Sequence, residues 1–231
     1  MTTDADASQQ QRRIPEPYRP VFRVGRAAFL GLSGLSAAAI FLGKHSVPSF
    51  NFAPGAASAN GFTIYTVVRG YPAFHPDSYR LRVDGLAQGS LNLSMADILR
   101  LPAVREKRFY QCVTGWTVPD ATWTGVRLSH ILDMVKPHSN AGAVKFYSFD
   151  GVYTESLTMA QARESDVLLA YKLMDKPLSQ AQGAPLRLVV PGMYGYKFAK
   201  WVNRVELIDK PIDGYWEMNG YDRDAYIGRS N

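Results

Sequence analysis

Short strand patterns, broken by Gly, Pro and Asp-Gly turn signals, fill the chain after Gly61 and limit its fold more than any other feature. The two patterns on either side of Asp150-Gly151 indicate a β-hairpin, because this dipeptide is a strong turn signal. Pro191-Gly192 ends another, buried-looking segment in the same way. We predict strands at residues 64–68, 79–83, 109–113, 144–149, 152–157, 186–190 and 201–208.

Two segments of the same region are predicted to be helices. Ser94 is a favourable N-cap for residues 95–99, and apolar residues recur at helical spacing between Gly125 and Val135. The region contains no internal repeat and no regular alternation of strands with helices. We therefore expect an α+β fold that is rich in β-structure.

The first sixty residues differ from this pattern and are predicted to lie outside the fold. Residues 1–22 are polar and contain three prolines, which favours a disordered tail on the cytoplasmic side. Residues 23–44 place basic residues around an uncharged run, 27–43, as in an export signal or a membrane anchor. Residues 45–61 form a linker with the small-residue sequence Ala57-Ser58-Ala59, and residues 62–231 form the domain.

The start of the uncharged run resembles the twin-arginine export pattern. Arg26 is followed by Ala27, which stands where a second arginine belongs, and then by Phe29-Leu30 after one further residue. The segment is therefore either a degenerate export signal or a retained anchor. Both alternatives place the body outside the cytoplasm, in the periplasm or on the outer face of the cytoplasmic membrane.

The charge distribution gives no support to a nucleic-acid partner. The chain carries a net charge of +6, and residues 1–60 and 61–231 contribute +3 each. The body is therefore mildly basic, and it contains no run of like charge and no stripe of alternating basic and aromatic residues. We expect no nucleic-acid binding.

Cys112 is the only cysteine, so it forms no internal disulfide and acts either in packing or through its sulfur chemistry. It closes a predicted strand, and Thr114-Gly115 follows as a turn, a position from which a thiol can bind a ligand. The four histidines lack the spacing of metal ligands, and no phosphate-binding glycine loop is present. A Cys-His nucleophile would need a histidine that the fold brings to Cys112.

Three blocks of sequence carry a resemblance to a known family. The first runs from Phe109 to Trp116 and continues at Trp123 to Leu128. The others are 78–86 and 182–197, and the match spans roughly residues 62–209. The resemblance is to the sulfite oxidase family, and in particular to its bacterial branch containing the periplasmic methionine sulfoxide reductase catalytic subunit. It implies the sulfite-oxidase-type molybdopterin-binding fold without the C-terminal dimerisation domain of animal and plant sulfite oxidases.

The resemblance also implies a molybdenum-molybdopterin cofactor with Cys112 as the protein ligand to the metal and the catalytic residue. A soft thiolate suits a high-valent molybdenum that also carries the dithiolene sulfurs of the pterin, and coordination to the metal keeps the thiol deprotonated. Lys200 by itself also fits a solvated surface lysine, and Gln182 stands where the reductase branch has asparagine. The expected cofactor-binding residues are Tyr65, Thr66, Ser148, Gln182, Arg187, Lys197, Phe198, Ala199 and Lys200.

The segment after Cys112 argues against sulfite as the substrate. Sulfite oxidases of animals and plants have arginines there, whereas this chain has Thr114-Gly115-Trp116. Trp116 and Trp123 are expected to line an apolar substrate channel, the alternative being that both are structural. A neutral molecule such as a sulfoxide or N-oxide fits that channel.

The resemblance implies oxygen-atom transfer, or a related two-electron redox reaction, on a small molecule. Electrons would be exchanged with a separate carrier, such as a membrane haem protein, because this chain has no haem or iron–sulfur ligand set. A monomer is expected, with residues 215–226 wrapped back over the body through their aromatic side chains. Two alternatives stay open: a metal-free family member that acts as an extracytoplasmic binding or scaffold module, and an anchored module of unrelated chemistry.

Overall fold

The structure is a computed structural model that describes residues 61–229. The predicted tail, the export or anchor segment and nearly all of the linker lie outside the described residues. Within 61–229, no helix is both long enough and apolar enough to cross a bilayer.

Ten strands and three short α-helices make up the regular structure of this region. The strands are β1 (Leu81–Gly85), β2 (Leu91–Leu93), β3 (Ala103–Gln111), β4 (Thr117–Arg127), β5 (Ala143–Ser148), β6 (Thr154–Thr158), β7 (Leu168–Leu173), β8 (Lys176–Pro177), β9 (Arg187–Val189) and β10 (Val202–Ile208). The α-helices are α1 (Met95–Arg100), α2 (Leu128–Val135) and α3 (Met159–Ala162), and 3₁₀ turns lie at Gln180–Gln182, Gly195–Lys197 and Glu217–Asn219. The α+β, β-rich prediction is confirmed.

The first sheet has the strand order β2-β1-β10-β5-β6. Strands β1 and β10 run parallel although they lie far apart in the sequence, while the other neighbouring strands of this sheet pair antiparallel. The predicted hairpin is present as β5 and β6, whose turn contains Asp150-Gly151. Asp150 closes this turn by accepting hydrogen bonds from the backbone N–H groups of Val152 (2.9 Å) and Tyr153 (2.8 Å).

The second sheet has the order β3-β4-β7-β8, and β9 also pairs with β7. Its pairings are antiparallel throughout. One hydrophobic core joins the two sheets, since Phe146 and Val205 of the first sheet and Trp123 and Leu169 of the second belong to the same buried cluster. Helix α2 adds its apolar face to this core through buried residues that include Ile131 and Leu132.

Three sequence predictions differ from the structure. Residues 64–68 contain no strand. The helix predicted from Gly125 begins only at Leu128, because residues 125–127 are still paired with β7. Strand β3 is longer than predicted and ends at Gln111, one residue before Cys112. Ser94 caps α1 as expected, in a capping box with Asp97.

Candidate active site around Cys112

Cys112 lies in the tight turn that joins β3 to β4. The N–H of Gly115 donates to the carbonyl oxygen of Cys112 (2.9 Å), and the N–H of Cys112 donates to the carbonyl oxygen of Trp116 (2.9 Å). Gly115 has φ of 101°, a conformation that favours glycine. The predicted position of the thiol, at the end of a strand and facing a turn, is confirmed.

Burial raises the pKa of the Cys112 thiol, because the anion loses water. Hydrogen bonds from the Thr114 hydroxyl and from the backbone N–H groups of Thr114 and Val113 act in the opposite direction, as does the Arg187 charge. The Thr114 hydroxyl lies 3.2 Å from the sulfur. These donors and the Arg187 charge offset the loss of water only in part, so the pKa of the thiol stays raised.

The Cys112 side chain lines a cavity of about 140 Å³. Strand β3, the β3–β4 turn, the β5–β6 turn and β9 all contribute to its wall, so the cavity lies where the two sheets meet. Segments without regular secondary structure form the rest of the wall. The lining residues are 62–67, Tyr110, Cys112, Val113, Thr114, Asp150, Tyr153, Arg187, Gly195, Tyr196, Phe198, Lys200, Trp201, Trp216 and Tyr221.

Two basic side chains, Arg187 and Lys200, line the cavity. The Arg187 side chain is 6% exposed, and its Nη1 donates to the carbonyl oxygen of Gln182 (3.0 Å). Its buried Nε has no hydrogen-bond partner among residues 61–229. Burial lowers the pKa of the guanidinium group. A buried cation with an unused donor is the group that an anionic ligand would satisfy.

Lys200 is the second cation of the wall. Its Nζ donates to the carbonyl oxygens of Tyr65 (2.7 Å) and Ala181 (3.3 Å) and lies 4.2 Å from the centre of the Trp201 ring. Loss of water, and to a smaller extent the Arg187 charge, lowers the pKa of Lys200 to about 7, and Asp150 opposes this shift. Within 61–229 neither cation forms an ion pair with a carboxylate, although Asp150 also lines the cavity.

Aromatic side chains form much of the remaining wall, and several come from the C-terminal residues. The Tyr221 ring lies 5.0 Å from the Trp216 ring and 5.2 Å from the Tyr196 ring, measured between centroids. Burial raises the pKa of Tyr221, and the charge of Cys112 adds to this, so the phenol lies near the sulfur. The prediction that residues 215–226 wrap back over the body is confirmed.

The structure brings six of the predicted site residues to the cavity and places the others elsewhere. Tyr65, Thr66, Cys112, Arg187, Phe198 and Lys200 line the cavity. Trp123 is fully buried in the core between the Phe62 and Phe198 rings, and Trp116 packs on Tyr110 from outside the lining. Neither tryptophan therefore lies on the cavity surface.

Three other predicted contacts support the wall from behind. Ser148 accepts a hydrogen bond from the N–H of Asp150 (3.1 Å) and so shapes the β5–β6 turn. Gln182 caps the turn Gln180–Gln182 and holds Arg187 through its carbonyl oxygen. Ala199 accepts from the N–H of Leu188 (2.8 Å).

Lys197 points away from the cavity into the protein. Its side chain is 1% exposed, and its Nζ donates to Glu155, to Glu217 (2.8 Å) and to the carbonyl oxygen of Ser156 (3.0 Å). These three acceptors occupy the three N–H donors of the ammonium group. We call these three side chains, Lys197, Glu155 and Glu217, the buried triad.

Sequence reasoning missed several residues of the wall, including Tyr110, Asp150, Tyr153, Trp216 and Tyr221. Each is polar or aromatic in a segment that the sequence marks only as a turn, a strand or a tail. Asp150 carried one usable signal, its place in an Asp-Gly turn next to a predicted contact. The others are brought together only by the fold.

Comparison with known proteins assigns the chain to a family. Residues 68–216 match the family described as Oxidoreductase molybdopterin binding domain. The chain is 34% identical over 143 residues to an uncharacterized oxidoreductase, YuiH, of Bacillus subtilis (strain 168), covering 62% of this chain and 72% of the relative. It is 29% identical over 235 positions to the protein-methionine-sulfoxide reductase catalytic subunit MsrP of Gluconobacter oxydans (strain 621H), covering 90% of this chain and 75% of that protein.

Two longer proteins share part of their length with this chain. The sulfite oxidase of Arabidopsis thaliana is 32% identical over 181 residues, which cover 64% of this chain and 46% of that protein. The sulfane dehydrogenase SoxCD of Paracoccus pantotrophus superimposes with a TM-score of 0.60 at 23% identity, covering 74% of this chain and 50% of that chain. The SoxCD likeness shows the fold, and the chain spans about half the length of both proteins.

The chain belongs to the oxidoreductase molybdopterin-binding family. It is a molybdopterin-dependent oxidoreductase of the sulfite oxidase fold, with molybdenum-molybdopterin as its cofactor. The cavity fits such a group chemically. Cys112 offers a sulfur ligand, and the unpartnered Nε of Arg187 and the nearby Lys200 offer positive charge to a phosphate.

Proposed function

We propose that the chain catalyses oxygen-atom transfer, or a related two-electron redox reaction, on a small neutral substrate such as a sulfoxide or an N-oxide. The observation that carries this proposal is the position of Cys112 on the wall of an aromatic cavity that is also lined by two cations, Arg187 and Lys200, neither of which forms an ion pair within residues 61–229. When bound, molybdenum-molybdopterin supplies the redox change and the transfer chemistry.

In this proposal Cys112 is the protein ligand to the metal and the catalytic residue. Arg187 and Lys200 hold the anionic end of the cofactor, and Tyr65, Thr66 and Phe198 pack against its organic part. Ser148, Gln182 and Ala199 act behind them, by keeping the β5–β6 turn, Arg187 and Leu188 in place.

The character of the wall supports a neutral substrate over sulfite. Once Arg187 and Lys200 are assigned to the cofactor, no other basic side chain among residues 61–229 lines the cavity. The remaining surface is mostly aromatic and aliphatic, with Val67, Tyr196 and Trp216 among its members, and the carboxylate of Asp150 would repel an anion. A dianion would gain little there, whereas a compact apolar molecule with one polar oxygen would lose little on leaving water.

The electrons are proposed to come from a separate carrier. This chain has one cysteine, and an iron–sulfur cluster needs several thiolates or histidines as ligands. The relatives from Gluconobacter oxydans and Campylobacter jejuni are named catalytic subunits, which is compatible with an arrangement of this kind. A membrane haem protein is one carrier of suitable chemistry.

We also propose that the domain is a monomer that works outside the cytoplasm. Residues 23–44 would export it or anchor it there. The support is the basic-flanked uncharged run and the small-residue site before the domain. Fractionation of cells that express the full chain tests this. Recovery of the cofactor-loaded protein with cytoplasmic markers would contradict it.

Metal analysis is the first test of the proposed activity. The full chain, made in a host that synthesises the cofactor, is expected to contain close to one molybdenum and one pterin per chain. Cys112→Ser should lower turnover by at least ~100-fold, because the metal loses its protein thiolate. Turnover is assayed with a set of sulfoxides and N-oxides and an artificial electron donor, and sulfite with an artificial acceptor.

A wild-type protein without molybdenum or pterin would refute the enzyme proposal and favour a metal-free binding module. Rapid sulfite oxidation would refute the substrate proposal and leave the cofactor site standing.

Lys200→Met tests the assignment of the cations. Loss of this charge should lower molybdenum and pterin content by roughly 10-fold or more, on the scale of supporting residues at metal sites. Lys145→Met is the matched control, since Lys145 lies on β5 over the Tyr147 ring and outside the cavity. Arg187→Ala should act in the same direction as Lys200→Met. Full occupancy in both cavity variants would contradict the proposed location of the pterin.

A further inference from the structure

The turn that carries Cys112 places a side-chain hydrogen-bond donor beside the sulfur atom. The backbone bonds Gly115 N–H to Cys112 O and Cys112 N–H to Trp116 O fix both ends of the turn. Between them the chain folds back, and the Thr114 hydroxyl comes to lie 3.2 Å from the Cys112 sulfur.

This arrangement suits a negative sulfur better than a neutral one. A thiol is a weak hydrogen-bond acceptor, so it gains little from a nearby donor, whereas a thiolate is a strong acceptor. The Thr114 hydroxyl is a side-chain donor, so its presence depends on the residue type at position 114.

We propose that Thr114 is a positioning residue whose hydroxyl donates to the Cys112 sulfur in the cofactor-loaded protein, fixing the sulfur's orientation and reducing its electron donation to the metal. This inference rests on the proposed function, since it takes Cys112 as the molybdenum ligand. It adds a residue that acts on the metal through the Cys112 sulfur.

The hydrogen bond has a defined electronic consequence. A donor to a ligating thiolate withdraws electron density from the sulfur and so favours the reduced metal. Hydrogen bonds to cysteine sulfur raise the reduction potentials of other metal centres by this route. Removal of the Thr114 hydroxyl should therefore lower the molybdenum reduction potential, and the sulfur-to-metal charge-transfer absorption should move to longer wavelength.

Three variants of the full, cofactor-loaded chain separate the hydroxyl from the bulk of the side chain. Thr114→Val keeps the shape and removes the donor, whereas Thr114→Ser keeps the donor and removes the methyl group. Thr117→Val is the matched control, because Thr117 is an exposed residue of β4 in the same sheet. The measurements are molybdenum content, a redox titration followed by the Mo(V) electron paramagnetic resonance signal, and the charge-transfer spectrum.

The proposal expects a lower potential and a red-shifted charge-transfer band in Thr114→Val, with wild-type values in Thr114→Ser and Thr117→Val. If Thr114→Val loses molybdenum while Thr114→Ser retains it, the hydroxyl is needed to hold the sulfur as a ligand, which supports the same role. A potential and spectrum unchanged in Thr114→Val would overturn the proposal. Equal loss of metal in both Thr114 variants would also overturn it, since the hydroxyl would then be irrelevant.

The proposed function and this inference fail in different ways. Molybdenum absent from the wild-type chain refutes the former and removes the basis of the latter. Molybdenum present in the wild type, with no change on Thr114→Val, refutes this inference alone.

Discussion

Lys197→Met should strongly destabilise the domain even when no cofactor is bound. The ammonium group is buried with Glu155 and Glu217, whose side chains are 0% and 2% exposed. Each carboxylate already has one oxygen, Glu155 Oε2 and Glu217 Oε2, without a hydrogen-bond partner among residues 61–229. Removal of Lys197 leaves both carboxyl groups without a cation in a dry environment.

The magnitude follows from the cost of an uncompensated buried charge. Removing one partner of a buried ion pair typically costs ~3–5 kcal/mol. For a domain of this size each kcal/mol lowers Tm by about 2–4 °C, so the expected decrease is roughly 6–20 °C. Partial protonation of Glu155 moderates this cost. Burial raises the pKa of Glu155 to about 8, although the Lys197 charge acts in the opposite direction.

Urea unfolding of cofactor-free protein at pH 7, followed by far-UV circular dichroism, measures this free energy. The informative control is the triple variant Lys197→Met, Glu155→Gln, Glu217→Gln, which removes all three charges and should recover more than half of the loss. Lys200→Met should cost much less, because Lys200 bonds only carbonyl oxygens and borders the cavity. A loss below about 1 kcal/mol for Lys197→Met, or no recovery in the triple variant, would refute the reasoning.

Two further predictions concern stability. Because the pKa of Glu155 is about 8 in the folded protein and near 4.5 in the unfolded chain, the folded state binds the extra proton, and stability should fall as pH rises from about 4.5 to 8. Glu155→Gln should flatten that slope in urea unfolding measured across this range. Gly125→Ala should cost about 3 kcal/mol or more, since its Cβ would lie 2.3 Å from the Leu169 carbonyl oxygen. Gly89→Ala, whose Cβ would have its nearest neighbour at 3.9 Å, should be tolerated, and urea unfolding of both variants checks this.

Local signals account for the parts of the fold that sequence reasoning predicted. The β5–β6 hairpin follows from Asp150-Gly151, and the start of α1 follows from the Ser94 cap. The helix predicted from Gly125 failed because apolar spacing alone does not distinguish a buried strand from a helix. Gly125 is paired with Ala170, and its missing side chain is what permits the close approach of β7.

Sequence reasoning predicted those site residues whose type alone suggests a role, such as a thiol or a cation, and which lie in a motif that matches the family. Cys112, Arg187 and Lys200 reach the cavity as expected. Lys197 lies three residues before Lys200 and has the same charge, yet its ammonium group points into the protein. The sequence contains no sign of this, because the two carboxylates that bind it lie 42 and 20 positions away.

The buried triad also explains how the C-terminal aromatic wall is held. Glu217 stands between Trp216 and Tyr221, both of which line the cavity. Its ion pair with Lys197 ties that turn to the segment that carries Phe198 and Lys200, and Glu155 ties both to β6. Loss of Lys197 therefore acts on the cavity through displacement of the wall, whereas loss of Lys200 removes a charge from an intact wall. If the cofactor content falls in Lys197→Met and is restored in the triple variant, displacement of the wall is the cause. If the cofactor content falls in Lys200→Met while the domain keeps its full stability, loss of the charge is the cause.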